Sequence, residues 1–347
     1  MSSDAKIMTS QTQNDAQVGR GKNRGCVNHC KRFWWAYLLL LCCIVALVVC
    51  IIIFVAVPKI AQRKMDESKL EIQGVHVLNT KVDSYLMEIN STITTDGSIH
   101  AHIDAFQGNL FLISDKGENT VPFATLDFPE TSSDKLVLVN ISQTVQIRDR
   151  VAFTEFNTLF YQRKSLRVRL SGKTRVQPSG LGKRFDVDFI KYLDFKGLDL
   201  FNGTKVDGVV DVAAAPGSPN FKGTADIPNS SDFTLEVGNV SFTNFVAGRN
   251  IGSMTINNLL LRPGSNKVDV EAELDQLQVL EIIGTRPYCE TGIVPFELLA
   301  TNVTHDGQRL DYFANALASR NQSVDIDIGS ILRKTIPSYK LSCSSSG

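Results

Sequence analysis

An uncharged apolar segment near the start of the chain limits the fold more than any other feature. It runs from Phe33 to Pro58, 26 residues without a formal charge. An α-helix needs about 20 apolar residues to cross the roughly 30 Å hydrocarbon layer of a bilayer. A cleaved signal peptide is the alternative, but its apolar core is usually about 7–15 residues long. We therefore predict a transmembrane helix over residues 33–58, which makes the lipid bilayer one partner of the chain.

The residues before the span differ from those after it. Residues 1–32 are rich in Ser, Gln, Asn and Gly and hold few apolar side chains, which predicts a disordered tail. Sequons of the form N-x-S/T occur only after the span, as expected if that part is lumenal or extracellular and glycosylated. This asymmetry predicts a cytosolic N-terminus and a lumenal C-terminus. Ordinary polar turns are the alternative interpretation of the seven sequons, which are at Asn90, Asn140, Asn202, Asn229, Asn239, Asn302 and Asn321.

The seven cysteines divide in the same way. Only Cys289 and Cys343 follow the span, where an oxidising compartment allows one disulfide between them. Cys26 and Cys30 lie in the cytosolic segment next to the membrane, where they are either candidates for palmitoylation or free thiols. The remaining cysteines lie within the span, where we expect them to serve as packing residues. They are Cys42, Cys43 and Cys50.

The charge balance excludes one class of partner. Residues 1–32 carry six basic and two acidic side chains, while the whole chain has a formal net charge of zero. The remainder is therefore slightly acidic. Neither part has the concentrated positive charge of a nucleic-acid-binding domain, so we expect no nucleic-acid partner.

The residues after the span show the period-two alternation of half-buried strands. Such alternation favours antiparallel strands with one face in a core. Helical periodicity is limited to residues 150–164 and 309–320, where aromatic and aliphatic side chains recur three or four apart. The sequence thus predicts a mainly β fold with a few short helices. The alternating segments are LVLVNI (136–141), LRVRL (166–170), FDVDF (185–189), FTLEV (233–237), VDVEAEL (268–274) and VDIDI (324–328).

The two predicted helices hold equivalent places in an internal repeat. Each helix runs directly into a strand, and earlier segments also correspond: residues 77–90 with 227–239, and 110–121 with 259–268. A Pro/Gly/Ala-rich stretch separates the two copies. We predict two tandem antiparallel β-sandwich modules, each with a short helix. The predicted parts after the span are a juxtamembrane linker (59–69), the first module (70–213), a linker (214–219) and the second module (220–343).

Two stretches resemble a known family. IPNSSDFTLEVGNVSF (227–242) and LSGKTRVQPSGLGKRFDVDFIKYLDFKGLDLF (170–201), following a single-pass anchor, resemble a fungal vacuolar-membrane family of unknown biochemical function. Its lumenal modules are similar to the group-2 late-embryogenesis-abundant (LEA-2) domain, also called the water-stress and hypersensitive-response domain. That domain is a β-sandwich of immunoglobulin or fibronectin type III appearance. The resemblance implies a vacuolar or late endomembrane location, a role in autophagy or nutrient control, and no established catalytic activity.

Two motifs that resemble catalytic or metal sites have simpler explanations. SGKTR (171–175) ends like a phosphate-binding loop, but that motif requires glycine where this chain has Arg167. His100, His102 and Asp104 would share one strand face and could begin a zinc or copper site. We favour a solvated strand face for these three residues, because the other histidines are far from them in the sequence.

Golgi glycosyltransferases provide the enzymatic alternative, since many are signal-anchored and bind a metal through D-x-D pairs. Asp325 and Asp327 form such a pair, as do Asp186 and Asp188. Both pairs alternate with apolar residues, which explains them as outward strand positions. A nucleotide-sugar fold would also need parallel strands interleaved with helices. We therefore expect no catalytic residue, no metal site and no cofactor.

The function predicted from the sequence is non-catalytic. We expect an N-glycosylated, membrane-anchored lumenal protein that acts by binding or scaffolding other membrane proteins or lipids. Lipid handling is the more specific alternative, with an acyl chain lying between the sheets. Equivalent strands carry opposite charges, Arg167 and Arg169 in one and Asp325 and Asp327 in the other. These rows either meet between the modules or, as we favour, both face water.

Overall fold

The computed structural model describes residues 24–215 and 217–344, with side chains from Phe33 onward. The chain forms two compact units, one ending at Val57 and the other beginning at Pro58. The predicted palmitoylation sites Cys26 and Cys30 lie outside the residues whose side chains are described, and most of the predicted tail lies outside the described residues altogether.

The N-terminal apolar helix is confirmed. Helix α1 (Arg24–Ile51) bends at Phe33 and continues through a π-helical turn (Ile52–Ala56) into α2 (Val57–Glu67). The 35 residues from Phe33 to Glu67 form a helix that is long and apolar enough to cross a membrane. At 1.5 Å per residue this helix is about 50 Å long, which exceeds the roughly 30 Å needed for a span. It is consistent with a single-pass membrane protein or a signal anchor.

The mainly β fold is also confirmed, since 49% of the chain is strand and 25% helix. The remaining helices are α3 (Arg150–Gln162), α4 (Gln276–Ile283), α5 (Tyr288–Thr291), α6 (Asp311–Ala318) and α7 (Ile328–Thr335). The first strands are β1 (Lys69–Leu78), β2 (Ser84–Thr94), β3 (Ala101–Ile103), β4 (Phe106–Ser114), β5 (Gly117–Glu118), β6 (Ala124–Phe128), β7 (Thr131–Ser132), β8 (Leu136–Gln146), β9 (Ser165–Pro178) and β10 (Phe185–Lys196). The later strands are β11 (Lys205–Val210), β12 (Phe221–Asn229), β13 (Phe233–Val246), β14 (Arg249–Leu261), β15 (Gly264–Leu274), β16 (Ile293–His305), β17 (Gln308–Arg309) and β18 (Gln322–Asp327).

The strands form two sheets. The larger sheet has the order β11-β12-β15-β14-β13-β1-β2-β8, and β16 adds to it by pairing with β13, β17 and β18. The smaller sheet contains β3–β7, β9 and β10. Strand β1 pairs in parallel with β13, with Val75 opposite Phe233, so one sheet contains strands from both predicted modules. The division into two modules and its boundaries stay a prediction, as does the immunoglobulin-like detail.

Residues 69–196 form what we call the sandwich region. Strands β1 and β2 face the smaller sheet, and α3 fills the space between the sheets with aromatic side chains. Asp149 caps α3 by accepting a hydrogen bond from the backbone N of Ala152 at 2.8 Å. The ring of Phe156 on α3 stacks on Phe123 with centroids 4.1 Å apart. A cavity of only about 50 Å³ is left in this core.

The end of α2 is fixed to strand β10. The Gln62 side chain donates to the Asp188 carbonyl at 2.9 Å and accepts from the Asp188 backbone N at 2.8 Å. The buried Lys191 ammonium donates to the carbonyls of Met65, at 2.7 Å, and Ser68. Burial lowers the pKa of Lys191, because desolvation disfavours the charged form. These contacts replace backbone pairing along part of the exposed edge of β10.

Residues 205–344 form what we call the cavity region. Its strands follow one another in the order β11-β12-β15-β14-β13-β16-β18. The two end strands, β11 and β18, lie beside each other although they are not hydrogen-bonded, and α7 packs on β11. The sheet is therefore curled around an interior, with α7 at the seam where its ends approach.

Candidate ligand cavity

The interior of the curled sheet contains a cavity of about 260 Å³, which we call the α7 cavity. Its walls are inward-facing side chains of the cavity-region strands, and the lining is almost entirely apolar. Alternation along each strand places every second residue on this inner face. Typical wall residues are Val206, Val210, Phe221, Met254, Phe296 and Ile326.

Helix α7 covers the cavity with one apolar face. Asp327 ends β18 and caps the helix, because its side chain accepts from the Ser330 backbone N at 2.8 Å. Starting the helix at this point puts Ile328, Ile331 and Leu332 on one face, at helical spacing, toward the interior. The strand predicted over residues 324–328 therefore ends at Asp327, and the last apolar residue of that pattern begins a helix.

Two polar contacts hold α7 on β11. The Val210 backbone N donates to Thr335 Oγ1 at 3.1 Å. The Lys334 ammonium lies 2.5 Å from Asp207 Oδ1. The hydrogen bond from Lys334 lowers the pKa of Asp207 below its ordinary value. Together these contacts close the seam between β11 and β18.

A C-terminal strap, residues 336–344, adds a second cover. Ile336 and Tyr339 of the strap line the cavity, together with Val279 and Leu280 of α4. A disulfide joins Cys289 to Cys343, with Cα atoms 5.0 Å apart. The Ser344 backbone N also donates to the Gly284 carbonyl at 2.8 Å. This disulfide, which the sequence allows, thus holds the strap against α4 and α5.

The mouth of the cavity is also apolar. Three of the residues that line the cavity remain largely exposed: Val212 (61%), Leu280 (42%) and Ile336 (38%). Exposed apolar groups around an apolar opening favour entry of an apolar molecule, since they are removed from water when it binds.

Asn244 is the polar exception in this apolar interior. It lies on β13 between the inward-facing Phe242 and Val246, and it is only 2% exposed. Among the described buried side-chain polar atoms, only its Oδ1 lacks a hydrogen-bond partner. An unpaired buried acceptor costs about 1–3 kcal/mol of stability. Asn244 therefore leaves a hydrogen-bonding group unused at the wall of the cavity that it lines.

The backbone around Asn244 is irregular. The pairing of β13 with β14 shifts register between Asn244 and Phe245. Gly252 lies opposite Asn244 with φ of +128°, and a Cβ there would lie 2.0 Å from the Glu273 carbonyl oxygen. Bulges re-aim side chains near binding and catalytic sites. One of the three register shifts between β13 and β14 thus lies at the position that carries the unpaired amide.

The seven predicted glycosylation sites differ in accessibility. Asn90, Asn140, Asn202, Asn239 and Asn321 are exposed, and Asn302 is half-buried. Asn90 and Asn140 lie directly opposite each other on β2 and β8. Asn229 is a correction: it is 2% exposed, and its Nδ2 donates to the Phe233 carbonyl at 2.7 Å. A side chain this buried leaves no room for a glycan on its nitrogen, so the prediction of Asn229 as a glycosylation site is wrong.

The histidine strand lies among charged side chains. Asp104 lies 2.9 Å from Arg184 and 3.1 Å from Arg175, and its distance to His102 is 3.6 Å. Among the described residues, no three His, Cys, Asp or Glu side chains are grouped closely enough to hold a metal ion. His100 pairs instead with Asp134, at 3.3 Å.

The charged rows on β9 and β18 do not pair with each other. Arg167 lies 3.6 Å from Asp194, and Arg169 lies 2.5 Å from Glu118. Asp327 caps α7, and Asp325 is exposed opposite Pro295. The hypothesis that the rows meet across the two modules is therefore wrong. In the other acidic pair, Asp186 and Asp188 lie opposite the basic residues Arg175 and Lys173.

The α7 cavity and the role of Asn244 were not predicted from the sequence. One signal was present in the segment VSFTNFV (240–246), where an inward position of a strand is filled by asparagine instead of an apolar residue. A polar residue out of phase with its strand pattern is a reason to look for a partner or a ligand.

The comparisons with known proteins leave the function open. The model of a family described as "Protein of unknown function (DUF3712)" matches residues 121–244, about a third of the chain. The matched part runs from β6 to β13 and ends at Asn244. No curated protein matches the chain.

Several solved structures are similar over much of the chain, but the similarity is low. Red sea bream transglutaminase is 12% identical at a TM-score of 0.28, covering 78% of this chain and 32% of that one. A Mobiluncus mulieris adhesin is 7% identical at a TM-score of 0.21, covering 74% of this chain and 83% of the adhesin. The CupB6 tip adhesin of Pseudomonas aeruginosa is 8% identical at a TM-score of 0.20, covering 67% of this chain and 94% of the adhesin. This chain spans about a third of the transglutaminase, and at such TM-scores none of the three carries a conclusion.

Proposed function

We propose that this is a membrane-anchored, non-catalytic protein that binds one apolar lipid chain in the α7 cavity. The observation that carries the proposal is the apolar cavity itself, with its exposed apolar mouth. An apolar cavity of about 150 Å³ is already large enough to bind benzene. The α7 cavity, at about 260 Å³, accommodates more than one such ring, and the rest of a longer chain extends through the mouth.

The free energy of burying methylene groups also favours a lipid as the ligand. Burial of each methylene group contributes about 0.8 kcal/mol. A chain that enters the cavity therefore gains affinity with each added carbon until the cavity is full. The apolar N-terminal helix, as a membrane anchor, keeps the β region near a source of lipid. Scaffolding of another protein is the second candidate, but no exposed surface of the described residues argues for it as directly.

The test uses the full-length chain in nanodiscs and two photoactivatable probes, a diazirine-bearing decyl alcohol and its methyl ether. After irradiation, mass spectrometry maps the labelled peptides. We expect label on α7 and on the wall strands β11 and β12. Label confined to the membrane helix would overturn the proposal.

A matched pair of variants on α4 sharpens this test. Leu280→Trp narrows the mouth, because Leu280 lines the cavity and is 42% exposed. Leu277→Trp changes the same helix at a site that is 81% exposed and outside the lining. We expect the first variant to reduce labelling of the cavity and the second to leave it unchanged. Equal labelling in both variants would show that the probes do not enter through this mouth.

The proposed topology places the N-terminus in the cytosol and the β region in the lumen, with glycans on accessible sequons. Glycosidase treatment should lower the mass of the protein. Asn90→Gln should remove one glycan, whereas Asn229→Gln should leave the mass unchanged, since Asn229 is buried. The vacuolar or late endomembrane location and the role in autophagy or nutrient control rest on the family resemblance. Imaging of a tagged chain tests that location.

A further inference from the structure

We propose that the α7 cavity selects apolar molecules that carry a hydroxyl group, and that Asn244 recognises this group. This inference rests on the proposed function and adds the chemical class of the ligand. It is carried by a different observation, the unpaired amide of Asn244, and not by the size or lining of the cavity.

The side-chain amide of Asn244 lacks a hydrogen-bond donor for its oxygen. Asn244 Oδ1 is a buried acceptor without a partner among the described residues. Other buried asparagines in the same fold are satisfied: Asn229 bonds to Phe233, and Asn266 donates to the Arg262 carbonyl at 2.7 Å. Native cores rarely leave such groups unpaired without a reason. A ligand that donates a hydrogen bond to Oδ1 supplies the missing partner once the amide turns to bring Oδ1 to the cavity surface.

The ligand's hydrogen-bond donor must lie at the cavity wall next to Asn244. Asn244 lines the cavity together with the apolar wall residues Phe296 and Met254. Asn220 also lines it, but its Oδ1 already accepts from the Leu274 backbone N at 2.9 Å. Gln276, whose Nε2 donates to the Asp211 carbonyl at 2.9 Å, is only half-buried, so its side chain reaches water. Among the described lining residues, Asn244 is therefore the one whose acceptor is both buried and unpaired.

The unpaired oxygen of Asn244 makes the cavity selective for a ligand with a hydroxyl group. A site built to hydrogen-bond a hydroxyl group discriminates against an analogue without it, because the site's own polar group is then left unpaired. A charged headgroup is excluded from the interior, since no side chain that lines the cavity carries an opposite charge. A hydroxyl group is neutral and can both donate and accept a hydrogen bond. The class that fits is therefore a long-chain or ring-containing alcohol.

The experiment measures competition against the photoactivatable decyl alcohol on the full-length chain in nanodiscs. The competitors are 1-decanol and decyl methyl ether, which share the same alkyl chain but differ in the O–H donor. For the wild type we expect 1-decanol to compete about tenfold better than the ether, since a tenfold difference corresponds to about 1.4 kcal/mol. In Asn244→Leu the two should compete equally.

The control variant is Gln276→Leu, which removes a polar lining group that already has a partner. It should keep the preference for 1-decanol. Equal competition by both compounds in the wild type, or an unchanged preference in Asn244→Leu, would overturn the role of Asn244 while leaving apolar binding intact. Failure of both compounds to compete, with label only on the membrane helix, would instead overturn the proposed function. Thermal unfolding of each variant checks that it is folded.

Discussion

The sandwich region and the cavity region are built from similar alternating strands, yet their interiors are filled differently. Rings from both sheets and from α3 fill the sandwich region: Phe106 stacks on Phe128 with centroids 5.0 Å apart, and Phe156 stacks on Phe123. The space left there is about 50 Å³, compared with about 260 Å³ in the α7 cavity. Among the described residues, no ring-to-ring pair joins two residues that line the α7 cavity.

The packing of helices α3 and α6 explains the difference. Helix α3 inserts its aromatic face between the sheets of the sandwich region. Helix α6 packs on α3 instead, with Tyr312 and Phe153 centroids 5.0 Å apart. Among the described residues, no helix therefore fills the curled sheet of the cavity region. Helix α7 and the C-terminal strap cover the interior without filling it, and a cavity remains.

Truncation of a matched phenylalanine in each region should produce the largest effect. Phe189 and Phe296 are both 3% exposed. Phe189 contacts the rings of Phe106 and Phe128, at 5.2 and 6.2 Å, whereas Phe296 faces the α7 cavity. We expect Phe189→Ala to lower the free energy of unfolding by about 3–5 kcal/mol. Phe296→Ala should cost less, because part of that ring already faces empty space.

Chemical unfolding of the two variants, with the wild type as reference, measures both losses. Equal losses would mean that the cavity region is packed as tightly as the sandwich region. The comparison between the two interiors would then fail, and the basis for ligand binding would fail with it.

Removal of the disulfide should have the second largest effect and should act on the cavity region. Cys289 and Cys343 are 54 residues apart in the sequence. Replacing both by serine should lower the free energy of unfolding by about 2–4 kcal/mol. The strap should also loosen, so bound probe should dissociate faster. Cys42→Ser is the control, since Cys42 lies in the apolar helix and is a free thiol. An unchanged dissociation rate would show that the strap does not limit access.

Replacing a buried asparagine by leucine should change the free energy of unfolding in opposite directions in the two regions. Asn157 in the sandwich region donates to the Phe153 carbonyl at 2.7 Å, whereas Asn244 Oδ1 in the cavity region is unpaired. Without ligand, Asn244→Leu should raise the free energy of unfolding by about 1 kcal/mol, and Asn157→Leu should lower it by a similar amount. Thermal unfolding in ligand-free detergent solution tests both. Destabilisation by Asn244→Leu would mean that its amide has a stabilising partner.

Much of the fold followed from the sequence because it depends on local patterns. The apolar segment predicted the N-terminal helix, and period-two alternation predicted strands such as β9 and β10. Helical spacing predicted α3 and α6. Each of these signals comes from neighbouring residues and holds wherever the segment lies in the fold.

The features that the sequence did not reveal depend on contacts between distant segments. The last apolar residue of VDIDI, Ile328, begins α7 because Asp327 caps a helix there. Asn229 matches a sequon, but tertiary packing buries it. The α7 cavity is lined by seven different strands and two helices, so no single stretch of sequence encodes it. Only Asn244 left a local signal, as a polar residue at an inward strand position.

Acidification should produce the smallest effect and should again act on the cavity region. The hydrogen bond from Lys334 lowers the pKa of Asp207 below its ordinary value of 3.8. Because the folded-state pKa is the lower one, the pair stabilises the fold fully above pH 3.8, and this contribution is lost as the pH falls through the folded-state pKa. Asp207 is 62% exposed, so solvent screening keeps the effect small.

The measurement is hydrogen exchange of α7 at neutral pH and at about pH 3, in the wild type and in Asp207→Asn. Acid should lower the protection factor of α7 in the wild type, which is taken relative to the intrinsic exchange rate at each pH, because the pair of Asp207 and Lys334 weakens below pH 3.8. The variant lacks the ion pair with Lys334 at both pH values, so its α7 should exchange faster than that of the wild type at neutral pH. The difference between the two proteins should therefore shrink in acid, while helix α3 in the sandwich region shows no such difference. A difference that stays constant would mean that α7 is held by Thr335 and apolar contacts alone.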